Sequence, residues 1–247
     1  MVRSDKGGFL DTLKTVLYAV LIAMVVRTFG FEPFNIPSGS MVPTLLVGDY
    51  LFVSKSSYGY SKHSLMFSLP LIPGRVWFKE PERGDVAVFK LPSDNSTDYI
   101  KRIVGLPGEK IQMKNGRLFI NGTIVKRERI SDFVQTGVNG SIKMTAQFKE
   151  TFPSGKTHNI LEEWGDTGPL DNTREYEVPA NHYFAMGDNR DNSQDSRVFP
   201  AVGFIPEENL VGRAEILFFS TNGKARIWEI WNWPIAIRFA RLFKDIM

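Results

Sequence analysis

Two serines two residues apart, Ser38 and Ser40, lie in the stretch FNIPSGSMVPTLLVGDY (34–50), flanked by Pro37 and Pro43. Gly39 permits close backbone approach and the prolines stiffen the flanks, which suits an exposed, preorganised hydroxyl. A hydroxyl becomes a nucleophile only with a base in hydrogen-bond reach. The chain has no cysteine, so a thiolate nucleophile, thiolate metal sites and disulfides are excluded. Two bases are open. His182, in ANHYFAMGDNR, could serve with Asp188 or Asp191 as its orienter. Lys101, in DYIKRIVGLPGEK, falls in a strand pattern with Tyr99, Lys101 and Ile103 on one side and Ile100, Arg102 and Val104 on the other. Burial without an acidic partner would disfavour its ammonium and lower its pKa toward the range of a working base. Arg102 would point away, toward a carboxylate. A third stretch, GDNRDNSQDSR (187–197), interleaves three Asp with two Arg and two Ser. Such a charge-paired turn is rigid, and it could hold Ser193 against a neighbouring amine.

These residues need elements to position them. The twelve uncharged residues from Thr15 to Val26 are bounded by Lys14 and Arg27, and apolar residues continue through Phe29 and Phe31. Counted from Leu10 to Phe29, with both basic side chains snorkelling, the run is long enough for a membrane anchor. Arg3 and Lys6 precede it, which places the N-terminus in the cytoplasm and the remainder on the outer side. Beyond residue 30, short alternating runs are separated by Gly, Pro, Asn and Asp, as in DYLFVSK, RGDVAVFKL, YIKRIVG and AEILFFS. The clearest hairpin runs from Lys110 to Val125, with turns at Asn115-Gly116 and Asn121-Gly122.

The expected fold is mainly β, an antiparallel catalytic sheet with an inserted β subdomain after one N-terminal transmembrane helix. Its expected parts are a cytoplasmic tail (1–9), the anchor (10–29), the first part of the core (30–105), the insertion (106–182) and the second part of the core (183–247). Two aromatic-rich patches, Met66–Phe78 and Ile227–Phe243, suit a lipid interface through Trp77, Trp228, Trp231 and Trp233. The second has the spacing of an amphipathic end, with Ile235, Ile237, Phe239, Leu242 and Phe243 set among Arg238, Arg241 and Lys244. A net charge of +3 without a long basic stripe disfavours nucleic acid as a partner and favours a membrane surface. His63, His158 and His182 are too scattered to signal a metal site.

Taken together and in order, IPSGSMVPTLLVGDY, RGDVAVF, YIKRIVGLPGE and GDNRDNSQDSR after an N-terminal anchor resemble the type I signal peptidases of bacteria. The resemblance covers roughly residues 15–105 and 183–220. It implies Ser40 as nucleophile, Lys101 as general base in place of His182, Ser193 as the hydroxyl orienting the lysine, and Ser38 as an oxyanion donor. It implies Arg190, Asp195 and Arg197 as ion-pair members holding the loop. Phe34, Ile36, Leu45, Leu51, Val88, Tyr99 and Ile100 match the positions of shallow pockets for small residues at −1 and −3 of a signal peptide. No cofactor and no catalytic metal are implied. The implied partners are signal peptides of secretory preproteins and the phospholipid membrane, with the secretion translocon as a candidate neighbour. The cysteine pair of certain enterobacterial members is absent, and one anchor appears where some relatives have two. Two rivals are a Ser/Lys self-cleaving transcription regulator and a non-enzymatic membrane-anchored β scaffold. The regulator would need a DNA-binding helical motif where TVLYAVLIAMVV stands.

Overall fold

A computed structural model of the chain describes residues 8–65, 68–69, 71–136, 141–223 and 229–246. The first element is α1 (Gly8–Phe29). Its consecutive residues Val16, Leu17 and Tyr18 are all more than half exposed, so the helix is apolar all round and has no stripe to bury against protein. A helix of that kind belongs in a core or in lipid. None of the span Leu10–Phe29 is buried, and by length and composition it can cross a bilayer.

The chain then forms β1 (Phe31–Asn35), β2 (Asp49–Ser54), a short pair β3 (Tyr60–Ser61) and β4 (Arg75–Val76), then β5 (Val86–Lys90) and β6 (Asp98–Gly105). Smaller strands follow: β7 (Lys110–Lys114), β8 (Arg117–Ile120), β9 (Thr123–Ile124), β10 (Lys126–Arg129), β11 (Phe133–Thr136), β12 (Ile142–Thr151), β13 (Thr157–Glu162) and β14 (Tyr176–Glu177). The chain returns through β15 (His182–Met186), β16 (Ile205–Pro206), β17 (Leu210–Ser220) and β18 (Lys244–Asp245). The principal sheet has the order β1-β2-β17-β5-β6-β15-β16, with β18 also on β17, and its pairs are antiparallel. Pro33 sits on the edge strand β1, where its missing N–H leaves the ladder intact. The strands from 110 to 177 form separate sheets between β6 and β15. Asn115, Gly116, Asn121 and Gly122 all adopt positive φ, the backbone that tight Asn-Gly turns require.

The intervening strands do not keep a core to themselves. Val104 of β6 with Phe184 and Met186 of β15 share one cluster with Ile111, Met113, Leu118 and Tyr176. Arg102 lies on that covered side of β6, 1 % exposed, and meets the Asp188 carboxylate there, as expected.

The C-terminal stretch is broken into short turns, Ile230–Asn232, Trp233–Ala236 and Phe239–Arg241, before β18, and does not form one amphipathic helix. Arg238 and Arg241 are not free to meet lipid headgroups, because both approach the buried carboxylate of Asp49, Arg241 at 2.5 Å. Trp231, Ile235 and Phe243 are each more than 70 % exposed. Trp77, 78 % exposed, packs edge-on to Tyr60, whose hydroxyl donates to the Phe29 carbonyl at the end of α1. Met66, Phe67 and Trp228 lie outside the described residues.

Candidate active site

β1 leads directly into the serine turn. Ile36 is held by its N–H on the Asp49 carbonyl at 2.9 Å, and the turn closes with the Leu45 N–H on the Met41 carbonyl at 2.9 Å. The Ser40 side of this turn faces β6, the strand between β5 and β15. Lys101 Nζ lies 2.6 Å from Ser40 Oγ and 2.9 Å from the Ile100 carbonyl, with Lys101 only 4 % and Ser40 8 % exposed. No carboxylate of the described residues stands within ion-pair distance of Lys101. Burial therefore dominates and pushes its ammonium from the ordinary 10.5 down to about 8, with Asp195 and Asp188 pulling weakly upward from farther away. The Tyr99 ring is 5.4 Å from Nζ. Ser38 is exposed, with its Oγ 3.4 Å from Ser40 Oγ.

The 187–197 loop docks against the back of this pair. The Asn189 N–H donates to the Ser40 carbonyl at 3.0 Å. A Cβ at Gly187 would stand 2.2 Å from Ser193 Oγ and 2.5 Å from the Ser40 carbonyl, so only glycine lets loop and turn meet. Ser193 is buried, and its Oγ makes no well-formed hydrogen bond among the described residues, with the Asp195 carboxylate as neighbour. Four of the loop's five charged side chains are paired in the interior, while Asp191 accepts from backbone N–H groups. Arg197 bonds Asp195 through Nε at 2.9 Å and Nη2 at 2.8 Å. Arg190 reaches outside the loop to Glu150 of β12, with Nη1 at 2.8 Å. Arg102 holds Asp188 with two bonds, at 2.8 and 2.7 Å, and Thr44 of the serine turn donates to the same carboxylate at 2.5 Å. Burial alone would raise the Asp188 and Asp195 carboxyls, but the guanidinium groups outweigh it and hold both below the usual range.

A cleft of about 500 Å³ opens in front of the pair. Phe34, Ile36, Val88, Tyr99 and Ile100 line it, as do Ser38, Ser40 and Lys101. Leu45 and Leu51 do not. Both are 0 % exposed and pack behind the wall with Ile36 and Val88. Asp98, Asn192 and Gln194 line the cleft without having been singled out from sequence, and Gln194 accepts from the Tyr99 hydroxyl at 3.1 Å. The position of Asn192 and Gln194 on either side of Ser193 was the available signal. His182 is elsewhere, pairing with Pro206 at the far edge of the sheet, its Nδ1 2.8 Å from the Ala180 carbonyl.

Residues 9–219 match the signal peptidase family, peptidase S26. The signal peptidase I of Rickettsia typhi is 40 % identical over 93 % of this chain and 90 % of its own length. That of Rickettsia prowazekii is 40 % identical over 99 % of this chain and 94 % of its own. A crystal structure of a signal peptidase I from Enterococcus faecalis aligns with 55 % of this chain and 97 % of that one, at 26 % identity and a TM-score of 0.31. The match runs through the serine turn, the lysine strand and the 187–197 loop alike, and the chain belongs to the signal peptidase family of peptidases.

Proposed function

We propose that this signal peptidase is a membrane-anchored serine endopeptidase that cuts secretory preproteins after an Ala-x-Ala-like site, with Ser40 as nucleophile and neutral Lys101 as general base. The observation that carries the reading is the 2.6 Å approach of Lys101 Nζ to Ser40 Oγ in a buried site without a carboxylate partner. Lys101 Nζ takes the hydroxyl proton as Oγ attacks the carbonyl carbon of the small −1 residue. The resulting oxyanion is met by the Ser40 N–H and the Ser38 hydroxyl. As the C–N bond breaks, Lys101 returns the proton to the leaving amine, which becomes the mature N-terminus. It then takes a proton from water as the hydroxide attacks the acyl ester, and gives that proton to the departing Ser40 Oγ. Serine and lysine are thereby restored, and the signal peptide leaves with a free carboxyl that ionises to solvent. Ser193 Oγ makes no hydrogen bond to Lys101 Nζ among the described residues, and its part as the positioning hydroxyl for the lysine rests on the family pattern.

The short path from α1 to the site supports a place at the lipid boundary. Phe29 ends the helix, Phe34 already lines the cleft, and exposed Trp77 stands beside the helix end. Aromatic side chains favour that depth of the bilayer. A substrate still embedded in lipid would reach such a site by diffusion in the membrane plane. This arrangement also fits an N-terminus in the cytoplasm, the catalytic sheet on the outer side and the translocon as neighbour.

The test is cleavage of a preprotein carrying an Ala-x-Ala site by the detergent-solubilised full chain. Wild type should cut, and Ser40→Ala and Lys101→Arg should not, because a guanidinium stays protonated. Cleavage by Lys101→Arg would sink the lysine base, and unchanged processing by Ser40→Ala would favour the scaffold reading. Ser38→Ala should lower kcat about 10²–10³-fold, the usual cost of one oxyanion donor. Ser193→Ala should lose less than Ser40→Ala.

A further inference from the structure

On the side of the 187–197 loop away from the cleft, three carboxylates from three segments converge. Glu162 ends β13, Asp171 follows the turn at Gly168, and Asp191 lies in the single turn Arg190–Asn192 immediately before Ser193. One oxygen of each lies within 4.8 Å of the other two. Acidic clusters are common on solvated surfaces, but this one is interior, with Glu162 1 % and Asp171 0 % exposed.

The hydrogen bonds leave a gap in its middle. Asp191 Oδ2 accepts from the Glu163 and Trp164 N–H groups at 2.6 and 2.8 Å. Asp171 Oδ2 accepts from the Gly168 N–H at 2.6 Å, and Glu162 Oε1 faces Arg127 at 3.3 Å. Glu162 Oε2 and Asp171 Oδ1 are buried with no hydrogen-bond partner among the described residues. A buried carboxylate oxygen left bare is costly, and native structures rarely tolerate it. The nearby cations are committed elsewhere, Arg127 also to Asp166 at 2.6 Å and Arg190 to Glu150. Gly168 keeps the space open, since a Cβ there would sit 2.3 Å from Asp191 Oδ1 and 3.1 Å from Asp171 Oδ2. Either a shared proton or a cation can fill the gap among these oxygens.

We propose that Glu162, Asp171 and Asp191 bind one hard divalent cation, with Ca²⁺ the best match. Ca²⁺ takes oxygen ligands at about 2.3–2.6 Å in flexible geometry, whereas Mg²⁺ demands a near-ideal octahedron and keeps much of its water, so a buried all-carboxylate site suits Ca²⁺ better. Asp191 is only half-buried and leaves a way in from solvent. The cation would clamp the turn that precedes Ser193 to β13 and the 168–171 turn, and so steady the loop from behind without touching the reaction.

The experiment uses the full chain in detergent, stripped with EDTA and titrated with Ca²⁺ by calorimetry, with thermal melting in parallel. One Ca²⁺ should bind per chain and raise the melting temperature, and Glu162→Gln and Asp171→Asn should each weaken binding at least about tenfold. Both variants are first melted in EDTA, and whichever melts no lower than wild type carries the comparison; calorimetry on wild type stands independently of either. Absence of saturable binding to wild type up to about 10 mM Ca²⁺ overturns the proposal, as does binding that both variants retain in full. So does wild type that gains stability in EDTA on acidification from about pH 8 to 6 while Ca²⁺ adds nothing, because a shared proton then fills the gap.

Discussion

Two lysines are almost equally buried in this protein, and their surroundings give them opposite characters. Lys55, 2 % exposed at the end of β2, has the Glu32 carboxylate at 2.9 Å and the Ser64 carbonyl at 2.6 Å. Lys101, 4 % exposed on β6, has a serine hydroxyl and a carbonyl. The first ammonium is matched by a charge. In return, Lys55 and Arg27 hold the Glu32 carboxyl below its usual range against the upward push of burial. The second has no counter-ion in contact, and burial pulls its pKa down to about 8. Burial by itself therefore does not make a base; burial without a contacting carboxylate does. The principal sheet produces this contrast by sending the carboxylates near Lys101 to arginines. Asp188 goes to Arg102 and Asp195 to Arg197, so neither is available to the lysine.

The contrast is sharpest in catalysis. Lys101→Met should lower kcat/KM for preprotein cleavage by about 10⁴-fold or more, as removal of one member of a nucleophile–base unit does. Lys55→Met should stay within about tenfold of wild type, and comparable losses in the two variants would break the distinction.

Stability should move in opposite directions. At about pH 6, Lys101→Met should be more stable than wild type by about 1–3 kcal/mol in chemical unfolding, because it removes a buried, uncompensated ammonium. Below about pH 8 the lysine is protonated in both folded and unfolded chains and its burial costs the fold. Between about 8 and the ordinary 10.5 the folded chain gives up its proton first, so the penalty fades as pH rises and is gone above that window. The advantage of Lys101→Met should shrink accordingly. Lys55→Met should instead destabilise by about 1–3 kcal/mol, less than a fully buried pair because Arg27 still faces Glu32.

The pH dependence of wild type gives a further measure of the same lysine. Only the neutral amine can accept the Ser40 proton, so kcat/KM should rise about tenfold per pH unit below about 8 and level off above it. A flat profile between pH 6 and 9 would place the base elsewhere.

Much of this arrangement was legible from residue types and local spacing. The Asn115-Gly116 and Asn121-Gly122 turns follow from the need for positive φ. The apolar run ends at Phe29, and the strand runs around Val88 and Ile100 were visible as alternation. Partners distant in the chain were not. Arg190 finds Glu150 forty residues earlier, and Arg241 finds Asp49 across 192 residues. Leu45 and Leu51 carry the apolar character of a pocket wall, yet they form its backing, because alternation cannot say which of two apolar layers meets solvent. The need for glycine at Gly187 appears only when Ser193 and the Ser40 carbonyl are seen on either side of it. The carboxylate cluster was equally hidden, since its members come from three segments whose spacing is far from any ligand motif.

What the sequence by itself determined was the chemistry on hand: no thiol, two serines on a stiffened turn, a lysine in an apolar strand, and an apolar helix before them. Those properties depend on residue type and near neighbours, which a linear chain displays. Only the tertiary structure decided which lysine is left without a carboxylate, because that depends on where the antiparallel register delivers every other charge. Ser40 and Lys101, sixty-one residues apart, meet at 2.6 Å with the lysine free of a contacting acid, because Arg102 and Arg197 have already taken the acids around it.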